Sequence, residues 1–153
     1  MRIFAFAGLA ALAIGVSACA SGDKPMAAKP MAPPANTQTW GEITVADQAV
    51  RRGTVTIGHI ELTNGGFVVI HVMDAQGKPV APGNIGYRAV RKGDSNNVVI
   101  RLTKRVEKGA KLMAMLHDDT GKMGRYEFGP GATNDDKPTI VNGAPVTKVF
   151  TVQ

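Results

Sequence analysis

The feature that most constrains this chain is the spacing of its turn signals. Past residue 40 they recur at Arg51-Arg52-Gly53, Asn64-Gly65-Gly66, Asp74–Lys78, Arg91–Asn96, Asp118–Gly124 and Asn142-Gly143. The segments between them suit strands, which run to about 5–6 residues, better than helices of about 10–14. Eighteen glycines and nine prolines in 153 residues point the same way. The pattern predicts an all-β fold, an antiparallel β-sandwich of about seven to nine short strands.

Ile43–Val50 and Thr54–Leu62 read as strands joined at Arg51-Arg52-Gly53, although the apolar phase of the second is not clean. Phe67–Met73 is a continuous apolar strand, Ile85–Val90 another, and Arg91–Asn96 a turn. Val98, Ile100 and Leu102 form an inward face with Arg101 outward, and Val146–Val152 closes the chain. The stretch Lys111–Phe128 reads as a hairpin whose first strand puts Met113, Met115 and His117 on one face and Leu112, Ala114 and Leu116 on the other. Phe67–Met73 and Leu112–Leu116 are apolar on both faces, whereas a sandwich strand needs one. A loop covers the second face, or it is exposed to a partner.

The amino terminus carries a different message. Arg2 precedes an apolar run, Ile3–Val16, too short for a membrane span of about 20 residues and suited to a secretory leader. Val16-Ser17-Ala18-Cys19 resembles a bacterial lipobox, in which the cysteine is lipidated and becomes the first residue. Cys19 is the chain's one cysteine, so no intramolecular disulfide holds the domain. Ala20, rather than Asp, follows it, and by resemblance to Gram-negative lipoproteins this implies an outer-membrane location facing the periplasm. Residues up to 39 are rich in Ala, Pro and Lys and read as an extended tether, in which Met26 and Met31 are incidental. The division is therefore a leader over 1–18, an anchor and tether over 19–39, and a β-sandwich over 40–153.

The run Val55–Val152 resembles a secreted domain family of unknown function found in surface proteins of halophilic archaea and in exported bacterial proteins. The motifs are GGFVVIHV, LMAMLHDDTGKMGRYEF and VNGAPVTKVFTV. They align His71, Met115, His117, Asp119, Gly121, Gly124, Tyr126, Glu127 and Phe128 with the family pattern. The resemblance implies an immunoglobulin-like sandwich outside the cytoplasm and no particular activity. Some relatives carry an Asp-x-Asn-x-Asn-Gly turn close to a calcium loop. Here the register reads Asp119-Thr120-Gly121-Lys122-Met123-Gly124, short of oxygen ligands, so the turn is read as structural.

Three site readings follow. His71, His117 and Met115, with Met113 as another thioether and His59 as a weaker ligand, have the donor types of a copper or zinc site. The competing reading makes the histidines hydrogen-bonded strand residues and the methionines core filler. A formal charge of +6 is concentrated at Arg88, Arg91, Lys92, Arg101, Lys104, Arg105, Lys108 and Lys111. Such a surface meets anionic envelope components, or it protects a sheet edge from pairing with another chain. Nucleic acid is not an expected partner. No catalytic arrangement stands out; Asp118 and Asp119 are adjacent, on opposite faces of a strand. The sequence thus reads as a lipid-anchored envelope protein with a non-catalytic binding or structural module, with metal binding as the alternative.

Overall fold

The computed structural model describes residues 40–80 and 83–153. The leader, Cys19 and the tether with Met26 and Met31 lie outside the described residues. Nine strands follow in order: β1 (Gly41–Thr44), β2 (Thr54–Leu62), β3 (Gly66–Val72), β4 (Gly86–Val90), β5 (Gly93–Arg101), β6 (Lys111–Asp118), β7 (Ile140–Val141), β8 (Ala144–Pro145) and β9 (Thr147–Thr151). They build two antiparallel sheets, ordered β1-β2-β5 and β4-β3-β6-β9, and a small β7-β8 ribbon. No helix occurs among the described residues. The chain is an all-β sandwich.

Alternation decides which side chains enter the core. Val55, Ile57, Ile60, Leu62 and Ile100 from one sheet share a cluster with Val68, Ile70, Leu112, Ala114, Leu116 and Phe150 from the other. Each aliphatic side chain fully buried in this way contributes about 1.5–3 kcal/mol. The unclean phase of β2 has a local cause. Val55 and Ile57 point inward, but so do Ile60 and Leu62, and the switch falls at Gly58. The residue across from that point on β5, Asn97, sits at φ 52°. Both strands turn over together there, leaving His59 and Glu61 on the outer face.

Three expected elements are placed differently. Ile43–Val50 is not one strand: β1 pairs with β2 and ends at Thr44, and the chain then crosses to the other sheet. There Gln48 forms a parallel bridge with Val152. Arg91–Asn96 is not all turn, because β5 begins at Gly93 and pairs its polar residues with the outer part of β2. Arg125–Phe128 is not a return strand, and β6 pairs with β3 and β9 instead. Its alternating R-Y-E-F pattern imitates a strand, but Arg125 N bonds to Lys122 O in a turn and Glu127 N to the Asp136 carboxylate, not to a neighbouring strand.

The crossing at Gln48 links the two sheets. Its backbone N–H donates to Thr151 O (3.1 Å) and its carbonyl accepts from Gln153 N (3.0 Å). Its side-chain amide substitutes for a strand neighbour on β2, donating to Thr56 O at 2.9 Å and accepting from Thr56 N at 2.8 Å. Replacing Gln48 by alanine removes both bonds to Thr56. The expected loss is about 1–3 kcal/mol of unfolding free energy in urea melts; an unchanged midpoint would show that the amide contributes nothing.

Candidate functional site

The β3/β6 pair carries the chemically distinctive side chains on its outer face. Register sets Phe67 opposite His117, Val69 opposite Met115 and His71 opposite Met113. All six side chains share that face, and none belongs to the inter-sheet cluster. They are nevertheless buried, with His71 1% and His117 0% exposed. The second apolar face is therefore covered by the protein's own loops. One runs from β3 to β4 and the other from β6 to β7.

Each loop is pinned by one histidine. His71 Nδ1 lies 2.8 Å from Gly83 O in the first loop, and His117 Nδ1 lies 2.7 Å from Asp136 O in the second. A carbonyl can only accept, so both Nδ1 atoms carry the hydrogen. Both Nε2 atoms then present lone pairs, and both are buried without a hydrogen-bond partner. The two rings stand 6.1 Å apart at an interplanar angle of 24°. Burial pushes both imidazoles below their ordinary pKa, against the opposing pull of the Gly83 and Val80 carbonyls on His71 and of the Asp136 carbonyl on His117, where the neighbouring His71 adds to the lowering.

The second loop packs aromatic rings over this pair. Tyr126 meets His117 at 5.5 Å and Phe67 at 5.3 Å, and Phe128 meets His117 at 5.2 Å. Tyr87 of β4 extends the cluster, 4.8 Å from Tyr126. Burial, then the charge of Asp136, raises the Tyr126 pKa.

Asp136 organises the loop. It is fully buried, and its carboxylate accepts the N–H groups of Thr120 (3.0 Å), Gly121 (3.3 Å) and Glu127 (2.6 Å). Asp119 Oδ2 accepts from Gly124 N at 2.6 Å and Glu127 Oε2 from Lys122 N at 2.6 Å, so each carboxylate of the turn resembling a calcium loop spends one oxygen on its own backbone, and Asp119 Oδ1 is buried without a partner. Sequence reading missed Asp136, because nothing local distinguishes it from Asp135 beside it.

The remaining candidates separate. His59 faces outward from the other sheet, so it does not join His71 and His117. It sits instead with Glu61 and Asp94 in an exposed cross-strand group, its Nδ1 3.0 Å from Asn96 Oδ1 and its Nε2 3.6 Å from Asp94. Seeing that group requires the β2–β5 register.

Arg88, Arg91 and Arg101 line a cleft of about 660 Å³ between the β4 and β5 edges, with Ser95, Asn96 and Asn97 in its walls. Lys104 and Arg105 line a different cleft, and Arg105 is drawn to Glu107 at 3.3 Å. Lys92 is exposed in the β4–β5 turn outside both linings.

The model of a family described as "Domain of unknown function (DUF7282)" matches residues 41–153. Among curated proteins, Cell surface glycoprotein 2 of Haloarcula hispanica is 34% identical over 105 residues, which is 69% of this chain and 10% of that protein. Cell surface glycoprotein 1 of the same organism is 30% identical over 105 residues, covering 69% of this chain and 11% of its own. The chain thus spans about a tenth of the length of these relatives. No solved structure matches.

The buried histidines set a pH dependence. Their folded pKa values lie below the unfolded value, so the unfolded chain takes up protons first as pH falls. The stability they support is complete above pH ~6.5 and is lost toward lower pH, by at most about 1.4 kcal/mol per pH unit for each histidine. Urea melts at about pH 7.5 and about pH 5.5 should show the decline, and His71→Gln should reduce its slope.

Proposed function

The chain belongs to the DUF7282 family, and from that premise we propose that it is a lipid-anchored, non-catalytic module of the cell envelope that binds anionic partners. The observation that carries the partner class is the presence of Arg88, Arg91 and Arg101 together in the lining of one cleft. Three arginines lining one cleft beside asparagine and serine suit phosphate or carboxylate groups, which arginine can engage through paired N–H donors. Envelope surfaces offer such groups on lipid headgroups, phosphorylated polysaccharide and acidic proteins. The relatives' names as cell surface glycoproteins support an envelope setting.

The anchor in this reading is Cys19. Its place after Val16-Ser17-Ala18 supports lipidation, and the tether to residue 39 supports a domain held away from the bilayer on the periplasmic side of the outer membrane. Acyl chains bind through about 0.8 kcal/mol per buried CH₂, so several on one cysteine give stable attachment. A second reading, copper or zinc binding at His71, His117 and Met115, rests on a separate observation: the two buried Nε2 atoms without partners.

Two measurements test the first reading. Cys19→Ser should abolish incorporation of labelled palmitate and move the protein from the membrane to the soluble fraction; unchanged fractionation would remove the anchor. Arg88→Glu with Arg101→Glu should weaken binding to vesicles of anionic phospholipid at least tenfold. Wild-type binding should itself fade as salt rises from about 0.1 M to about 1 M and the screening length shortens from about 10 Å to about 3 Å. Binding indifferent to both changes would refute the anionic partner.

A further inference from the structure

We propose that the outer face of the β3/β6 pair holds a buried site for a soft monovalent ion, Cu(I), with His71 Nε2 and His117 Nε2 as its nitrogen ligands and a thioether from Met115 or Met113. The inference rests on the metal-binding reading and names the ion and the donor atoms. It begins from a cost. A buried polar atom deprived of water and of a partner loses about 1–3 kcal/mol, and this face carries two such nitrogens on adjacent strands. The bonds to Gly83 and Asp136 account for one nitrogen of each ring and leave the other unexplained.

The backbone has fixed both rings in the form a metal requires. Each Nδ1–H is held by a loop carbonyl, as the outer hydrogen bond of a ligating histidine usually is, and each Nε2 lone pair is left for the ion. Two imidazoles that share one ion through metal–nitrogen bonds of about 2.0–2.1 Å, the ion lying in both ring planes, have ring centres about 5–6.5 Å apart. The centres here are 6.1 Å apart. On the same face Met115 falls, by register, between the rows of the two histidines, and Met113 falls opposite His71.

The donor set selects the ion. All its members are neutral, and the cost of bringing an ion into a dry interior rises steeply with charge. Imidazole and thioether suit reduced copper, whereas Zn(II) favours four ligands drawn from thiolate, imidazole and carboxylate. Calcium and magnesium need oxygen, and the Asp136 carboxylate is occupied by three backbone N–H groups. The two histidines are pinned to different loops, so a bound ion also ties the two covers to each other and stabilises both.

The test uses the full chain carrying Cys19→Ser, which removes the one thiol. Cu(I) is titrated anaerobically against a chromophoric Cu(I) chelator, and the histidine ring nitrogens are followed by NMR. The expected result is one Cu(I) per chain, shifts at His71 and His117 Nε2 with His59 unmoved, and a raised melting temperature. Met115→Leu together with Met113→Leu preserves side-chain volume and should weaken Cu(I) binding at least tenfold while the metal-free protein keeps its NMR fold signature. If Zn(II) shifts both rings and Cu(I) does not, the ion assignment is overturned and the metal-binding reading survives. If neither ion moves either ring, both fail. Cu(I) binding that is unaffected by the paired methionine substitutions would remove the thioether from the site.

Discussion

The β3/β6 strand pair is apolar on both faces, and a two-layer sandwich can bury only one of them. The second sheet covers Val68, Ile70, Leu112, Ala114 and Leu116. Phe67, Val69, His71, Met113, Met115 and His117 need a second cover, which the chain makes from loops, the one further sheet among the described residues being the two-stranded β7-β8 ribbon. Three layers thus arise from two sheets. Loops shed water from this face less efficiently than a sheet does, because their backbone groups must themselves be satisfied.

That demand explains the carboxylates of the second loop. A sheet satisfies its N–H groups through the ladder; this loop satisfies several of its own through Asp119, Glu127, Asn134 and Asp136. Asp136 does the most, accepting three N–H groups through its side chain while its carbonyl accepts His117 Nδ1–H. The same residue therefore folds the cover and sets the tautomer of the histidine beneath it. Loss of its charge would be felt at His117 as well as in the loop.

Much of this was legible in the sequence. Period-two alternation placed Met113, Met115 and His117 on one face, and the turns at Arg52-Gly53 and Asn142-Gly143 fall where φ is positive at both central residues. The apolar character of both strand faces also left two readings, a covering loop or a face exposed to a partner, and the burial of His71 and His117 decides for the loop. What escaped reading was non-local. Arg125–Phe128 alternates like a strand, yet Tyr126 and Phe128 turn toward rings supplied by β3 and β6. Gly93–Asn97 has the composition of a loop and becomes a strand because β2 extends far enough to pair with it. The crossing at Gln48 leaves no local mark, since one side chain replaces a whole strand's hydrogen bonds.

The two sides of the sandwich are finished in opposite ways. On the β1/β9 side the chain passes between sheets, and Gln48 bonds to both β2 and the end of β9. On the β5/β4 side each sheet ends in an open edge, and an open edge invites another strand unless charge opposes it. Arg88, Arg91 and Arg101 gather there. Edge protection and the proposed anion binding are therefore compatible readings of these arginines. Guanidiniums that repel a like-charged copy of the same edge would also attract a polyanion. The histidine pair stands apart from this logic: it is enclosed and neutral, and its lone pairs point where neither solvent nor an anionic partner reaches.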